Sequence, residues 1–292
     1  MNSVNRNREL LQIKKMAVLI VTSNLLYAIW KSLLAVLSDD GVSLYWKSTL
    51  TIKNIVKLIL LNDSPFNSHL WYLSAILYVL IIVYFLRRMK LERILYIITP
   101  LLLIGDLAMG KYSLLIFGRE FPYILVRNFL FVGIPYFTIG KLLYDHKIKI
   151  KEQNKTKIIV GIAVFLVTTL LERFLLVCTG LNTTRDHYIS TTFLAVFVFT
   201  FFLGLFSKRE IKNLGKIVAK IGREYSAGIY VIHPIIITVI SVAVEMIGVH
   251  DLYSVIAPLV VFGVSCLVVM FLTKTKGIIK YEYKKTVGKK VR

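Results

Sequence analysis

The chain has 292 residues, of which 57% are hydrophobic, and its formal net charge is +21. Its mean hydropathy of +0.70 is far above that of a soluble domain, whose core could not bury so much apolar surface. The basic residues stand in short bursts between apolar runs, a pattern that indicates membrane topology and not nucleic-acid binding. Composition therefore excludes an ordinary soluble protein.

Eight apolar windows of bilayer-spanning length follow one another along the chain. A spanning helix needs about 20 largely apolar residues. The windows are 16–38, 70–86, 91–110, 122–144, 158–180, 188–206, 227–247 and 255–273. We therefore expect an all-α, polytopic transmembrane bundle of about eight spans, with both chain ends on the same side.

The distribution of lysine and arginine predicts which side that is, because positive flanks are retained in the cytoplasm. Basic residues concentrate in the N-terminal segment, in the turns 87–93, 147–157 and 208–223, and in the tail. The opposite side carries only Lys47, Lys53, Lys57, Lys111, Arg119 and Arg185. We expect a multi-pass cell-membrane protein with both ends in the cytoplasm, one domain over 1–273 and a basic cytoplasmic tail over 274–292.

Two amphipathic segments are expected to lie on the membrane surface. Residues 50–61 suit a helix on the outer surface. Residues 211–222 do the same on the cytoplasmic side, with Lys212, Lys216 and Lys220 at four-residue spacing along one face. Attraction to lipid headgroups is the alternative role of that basic stripe.

The sequence predicts neither a disulfide framework nor a metal site. Cys178 and Cys266 lie inside apolar stretches, where packing is the expected role. The five histidines are scattered over different loops and depths, which does not favour metal coordination. These histidines are His69, His146, His187, His233 and His250.

Charge inside the hydrocarbon is costly, so ionisable residues within spans are candidates for function. His69 stands at the outer mouth of the second span, just before Trp71 and Tyr72; its alternative role is as part of an aromatic belt. Arg127 lies in the fourth span, roughly 7 to 8 Å deep from outside. Its alternative role is snorkelling to the outer headgroups.

The fifth span carries Glu172 and Arg173 near the same outer layer as Arg127. An ion pair between Arg127 and Glu172 would make both charges tolerable in a low dielectric. Asp106 and Glu245 are close enough to the outer ends of their spans to be solvated, so we assign them no role.

His233 lies about six residues into the seventh span from the cytoplasm. It directly precedes Pro234, which frees a backbone carbonyl and favours a kink. This position above the basic stripe favours a functional role. On helix rise, roughly 20 Å separates His69 from His233 along the membrane normal, so the two are not expected to share one reaction centre.

Three stretches together resemble a known family. They are SHLWYL at 68–73, RN at 127–128 followed by GIPYF at 133–137 and Gly140, and SAGIYVIHP at 226–234. In order and spacing they are similar to motifs of acyltransferase family 3, bacterial membrane proteins that O-acylate surface polysaccharides and related glycans.

The resemblance covers nearly the whole chain, and residues 27–30 look like the family's third span. Since the family usually has ten spans, the chain is expected to lack the first two. The family's first span carries a basic residue about ten positions before a histidine. Here Lys14 and Lys15 are present, but no histidine precedes His69.

The resemblance implies acyl-coenzyme A as co-substrate with no bound cofactor, acetyl as the expected acyl group, and an outer glycan or lipid-linked glycan hydroxyl as acceptor. His69 is then the expected general base, Arg127 the oxyanion stabiliser and His233 the residue that contacts the thioester. Candidate substrate-binding residues are the outer Trp71, Tyr72, Glu172 and Arg173 and the cytoplasmic cluster Lys208, Arg209, Lys212, Lys216, Lys220 and Arg223.

Two other functions remain open at this point. A polytopic transporter would also place polar groups within its spans, although the sequence lacks the paired, broken segments of inverted repeats. A non-catalytic acyltransferase-like binding module would explain the missing first-span histidine. The oligomeric state is not predicted.

Overall fold

A computed structural model describes residues 3–37, 41–61, 63–185, 187–206 and 213–290 of the chain. Over these ranges the protein is all-helical, with 86% of its residues in helices and no strand. This confirms the predicted fold class. The chain forms two compact units, one ending at Lys208 and the other beginning at Arg209.

The first unit contains eleven α-helices within the described residues. They are α1 (Ser3–Leu37), α2 (Val42–Thr49), α3 (Ile52–Leu61), α4 (Trp71–Arg88), α5 (Arg93–Met109), α6 (Ser113–Phe117), α7 (Tyr123–Val126), α8 (Ile134–Asp145), α9 (Lys147–Glu152), α10 (Lys155–Cys178) and α11 (Ile189–Phe206). A 3₁₀ turn, Ser68–Leu70, leads into α4, and a π-helical turn, Phe129–Gly133, leads into α8.

The core of the first unit lies where α4, α5 and α8 meet. Val79 and Val83 of α4 pack there against Leu95 of α5 and Ile134 of α8. Helix α1 packs on α4, while α10 and α11 form a second pair. The polar residues described below lie around the loops and the helix break next to this core.

Five helical stretches in the described ranges are long and apolar enough to cross a membrane. They are Asn7–Leu37, Ser68–Arg88, Lys155–Cys178, Gly215–Ile247 and Tyr253–Thr275. Residues Ile189–Leu205 form a shorter apolar helix. The protein is therefore a multi-pass membrane protein, while the count of eight spans and the cytoplasmic position of both ends stay predictions.

The fourth predicted window, 122–144, is not one helix. It is divided into α7, two non-helical residues, the π-helical turn and α8. The prediction of an unbroken span was wrong because hydropathy does not register the capping side chain of Asn128, which ends one helix and begins the next.

The predicted surface helix at 50–61 is found as α3, whose apolar Ile55, Val56, Ile59 and Leu60 are exposed. Such a face suits the membrane surface. Tyr78 of α4 donates a hydrogen bond to the carbonyl of Ile59 at 2.8 Å, which ties α3 to the bundle.

The second unit consists of α12 (Asn213–Ile247) and α13 (His250–Lys290), which pack against each other. Their contact is close at Gly228, where a Cβ would come within 2.8 Å of Val269 Cγ1. The predicted cytoplasmic surface helix and seventh span join into α12, since no residue between them breaks the helix. Helix α13 likewise continues past residue 273 into the predicted tail.

Candidate functional site

The chain breaks its helical path at Arg127 and Asn128. Helix α7 ends before Arg127, whose backbone is non-helical at φ −82° and ψ 71°. The buried Asn128 then accepts hydrogen bonds from the backbone N–H groups of Leu130 at 2.9 Å and Phe131 at 3.2 Å, which starts the π-helical turn. Its amide nitrogen also donates to the carbonyl of Leu125 at 2.7 Å. This break fixes the position from which the Arg127 side chain projects.

The guanidinium of Arg127 lies over two aromatic rings. Its central carbon is 4.7 Å from the centroid of Trp71, the first residue of α4, and 5.0 Å from the centroid of Tyr123. Cation–π contacts of this kind hold a guanidinium in place without neutralising its charge. The structure thus brings together two of the predicted outer residues, Arg127 and Trp71.

A carboxylate and an imidazole that sequence reasoning did not assign lie on the same site. Asp106, in the last turn of α5, is only 4% exposed. Its Oδ2 is 3.0 Å from Nδ1 of His187, which precedes α11. In the tautomer with a proton on Nδ1, His187 donates to Asp106 and leaves Nε2 able to accept a proton.

A buried lysine holds the loop that carries His187. Lys111 Nζ donates to Oδ1 of Asn182 at 2.6 Å and to the carbonyls of Thr183 at 2.9 Å and Arg185 at 2.7 Å. It also lies 4.3 Å from the ring centroid of Tyr188. Lys111 therefore connects the turn after α5 to the loop before α11.

Arg185, in that loop, stacks on the same tyrosine as Arg127. Its guanidinium carbon is 3.8 Å from the centroid of Tyr123, and its Nη2 donates to the carbonyl of Phe121 at 3.0 Å. Burial lowers the pKa of Arg185 from its usual value.

Two adjoining cavities contain these groups. The polar cavity, of about 60 Å³, is lined by Trp71, Asp106, Gly110, Lys111, Tyr123, Val126, Arg127, Val132, Arg185 and His187. The apolar cavity, of about 550 Å³, shares Trp71, Val132 and His187 with it and is otherwise lined by Tyr72, Ala75, Ile76, Val79, Leu80, Gly133, Tyr136, Phe137, Thr191 and Ala195. His187 and Trp71 therefore stand at the boundary between a charged and an apolar space.

His69 is placed differently from the other predicted outer residues. Its ring packs edge-on against buried Tyr27 of α1, with centroids 4.9 Å apart. Both ring nitrogens are shielded from solvent. His69 does not line the polar or the apolar cavity, whereas Trp71, Tyr72 and Arg127 do.

Glu172 and Arg173 lie apart from the two cavities, on α10. Glu172 accepts hydrogen bonds from the backbone N–H and the hydroxyl of Ser190 on α11. The predicted ion pair between Glu172 and Arg127 is wrong. Glu172 is hydrogen-bonded to Ser190, and the guanidinium of Arg127 lies over two aromatic rings. The side chain of Arg173, on the same helix as Glu172, is exposed.

In the second unit, His233 lines a cavity of about 460 Å³ between α12 and α13. Its Nδ1 is 2.8 Å from the carbonyl of Tyr230. Of the basic cluster, Lys216, Lys220 and Arg223 are exposed on α12. Lys208, Arg209 and Lys212 lie outside the described residues.

Sequence reasoning missed four residues of the polar cavity: Asp106, Lys111, Arg185 and His187. Solvation near a span end accounted for Asp106, while Lys111 and Arg185 stood only among the basic residues of the outer side and His187 only among the scattered histidines. Asp106 and His187 are also separated by 81 positions, so no local motif joins them. A single carboxylate within the apolar run of α5 was the one signal available.

Most of the chain matches the model of a known protein family. Residues 10–274 match the family model Acyl_transf_3, described as an acyltransferase domain. Neither a curated protein nor a solved structure matches the chain.

Proposed function

On the premise that the chain belongs to this acyltransferase family, we propose that it is a membrane enzyme that transfers an acyl group to a hydroxyl of a glycan. The single observation that carries the site assignment is the His187–Asp106 contact of 3.0 Å on the wall of the cavity that also contains Arg127. The base His187, the carboxylate of Asp106 that orients it and the cation Arg127 then line the same cavity.

His187 is the general base of the proposed reaction. A sugar hydroxyl is a weak nucleophile and needs a base whose pKa is near the operating pH. Nε2 of His187 takes the hydroxyl proton as the oxygen attacks the acyl carbonyl carbon. The bond between the acyl carbon and the sulfur of the donor thioester breaks, the thiol leaves with that proton, and a new ester remains on the acceptor. Asp106 keeps the imidazole in the required tautomer and stabilises its charged form.

Arg127 stabilises the negative charge that develops on the carbonyl oxygen. Its guanidinium is held by Trp71 and Tyr123 and forms no ion pair with a carboxylate of the described residues. Such a preorganised cation favours the tetrahedral intermediate over the ground state. Trp71 and Tyr72, which line the apolar cavity, offer stacking surfaces for a sugar ring of the acceptor glycan or lipid-linked glycan.

Acyl-coenzyme A is the proposed donor, with acetyl as the expected acyl group. Lys216, Lys220 and Arg223 offer exposed positive charge on α12 to its phosphates. His233 lies farther along the same helix and lines the cavity between α12 and α13. Lys216→Gln with Lys220→Gln is expected to raise KM for acyl-coenzyme A severalfold with kcat unchanged, while Lys274→Gln, an exposed control on α13, leaves both unchanged.

The base assignment is tested by transfer of labelled acetyl from acetyl-coenzyme A to cell-surface glycan in membrane vesicles. His187→Ala is expected to reduce the rate by about 100-fold or more, the usual contribution of general acid–base catalysis. His146→Ala, at an exposed histidine after α8, is the matched control and retains the wild-type rate. Wild-type transfer by His187→Ala would refute the assignment, and loss in His69→Ala alone would return the role of base to His69.

A further inference from the structure

The polar cavity contains more positive than negative charge. Lys111, Arg127 and Arg185 line it, and Asp106, the one carboxylate among its described lining residues, already contacts His187. The hydrogen bonds of Lys111 go to neutral carbonyl oxygens. Among the described residues, no carboxylate forms an ion pair with Arg127 or Arg185. The cavity is therefore suited to a further anion.

Arg185 provides the second, independent observation. The residue is 7% exposed, and its Nη1 is buried with no hydrogen-bond partner in the described part of the chain. A buried donor left without an acceptor is costly, the more so when it is charged. Burial and the neighbouring charge of Arg127 lower the pKa of Arg185, while Asp106 and the exposed Glu120 act in the opposite direction. An anion bound in the cavity that Arg185 lines would balance this charge.

We propose that the polar cavity is a subsite for an oxyanion group, a phosphate or a carboxylate, carried by the acceptor. The inference rests on the proposed function, because His187 on the same wall is the base for the acceptor hydroxyl. The volume of about 60 Å³ has room for roughly four water-sized groups, which fits one phosphate or carboxylate group but not a sugar ring. The anionic group thus enters the cavity and its sugar ring stays outside. Guanidinium groups bind such groups through paired hydrogen bonds.

The subsite is tested by titrating the detergent-solubilised full chain with inorganic phosphate and following thermal unfolding. Arg185→Gln is expected to weaken phosphate binding at least tenfold, and Arg185→Lys, which retains the charge, to recover part of it. Arg119→Gln is the matched control, since Arg119 is exposed, stacks on Phe121 at 5.0 Å and does not line the cavity. Equal phosphate binding by the Arg185→Gln and Arg119→Gln variants, or no saturable binding by the wild type, would overturn the proposal.

A competition experiment separates an acceptor group from a lipid headgroup. A sugar phosphate is expected to displace inorganic phosphate, whereas the neutral sugar and nanodiscs containing phosphatidic acid are not. Displacement by the lipid alone would overturn the assignment to the acceptor. Because phosphate binding is measured without an acyl donor, a His187→Ala variant that still transfers acetyl would refute the proposed base without affecting this result.

Discussion

Replacement of Lys111 by methionine is expected to release the loop that carries Arg185 and His187. The ammonium group is buried and makes three hydrogen bonds to that loop, one to a side-chain amide and two to carbonyls. Hydrogen bonds from a charged donor contribute about 1.5 to 3 kcal/mol each, but methionine also avoids burying a charge. We therefore expect the loop to lose about 3 kcal/mol of stability.

With opening as a rapid pre-equilibrium, this loss corresponds to roughly 100-fold faster exchange of the loop amides, since each 1.4 kcal/mol is a factor of ten. Hydrogen–deuterium exchange of peptides covering 182–188, measured by mass spectrometry in nanodiscs, gives that ratio directly. Lys47→Met, at an exposed lysine in the last turn of α2, is the control and leaves the exchange unchanged. Unaltered exchange in the Lys111→Met variant would show that the three contacts do not hold the loop.

Three further predictions test other contacts. Asp106→Asn is expected to lower acyl transfer about 100-fold or more without unfolding the protein, because an amide favours the wrong tautomer of the catalytic imidazole; single-turnover rates and thermal unfolding check this. Glu172→Gln and Ser190→Ala should each lower the free energy of unfolding by about 1 to 2 kcal/mol. Their double-mutant cycle should show coupling above about 0.5 kcal/mol, and purely additive losses would contradict the contact. Gly161→Ala should cost about 1 to 3 kcal/mol in chemical denaturation, because the new Cβ overlaps an aromatic ring of α11, whereas Gly140→Ala, in open space, should not.

The helical architecture was predictable from the sequence because hydropathy over bilayer-length windows reports burial in lipid directly. What windows do not report is where a helix ends. Asn128 interrupts an apolar run with one side chain, and the resulting break shows no change in hydropathy. Conversely, a surface helix over 211–222 and a span over 227–247 were predicted as separate elements, but within the described residues α12 continues from Asn213 to Ile247 without a break.

The candidate site was predictable where a residue projects from a recognisable local sequence and not where the chain brings distant segments together. Arg127 was found because an arginine inside a span is unusual by itself, and Trp71 because it belongs to the stretch at 68–73 that resembles a family motif. His187 and Asp106 become candidates only because their side chains are 3.0 Å apart. That distance is set by how α5 packs against the loop before α11, which the sequence does not show. The assumption that buried charges pair with each other also gave a wrong contact. Glu172 was expected to pair with Arg127 at a similar depth, but its carboxylate accepts a hydrogen bond from Ser190 on α11.

The π-helical turn Phe129–Gly133 makes the site depend on the number of residues as well as on their identity. Each residue added to or removed from a helix rotates everything beyond it by about 100°. Deleting one residue within this turn would let it relax to ordinary α-helix, with α8 still anchored in the core through Ile134. The segment before the turn would then rotate, and the guanidinium of Arg127 would leave the rings of Trp71 and Tyr123 and point toward lipid. Every side chain of the polar cavity would still be encoded, yet the proposed acyl transfer would be expected to be lost because these side chains would no longer face one another.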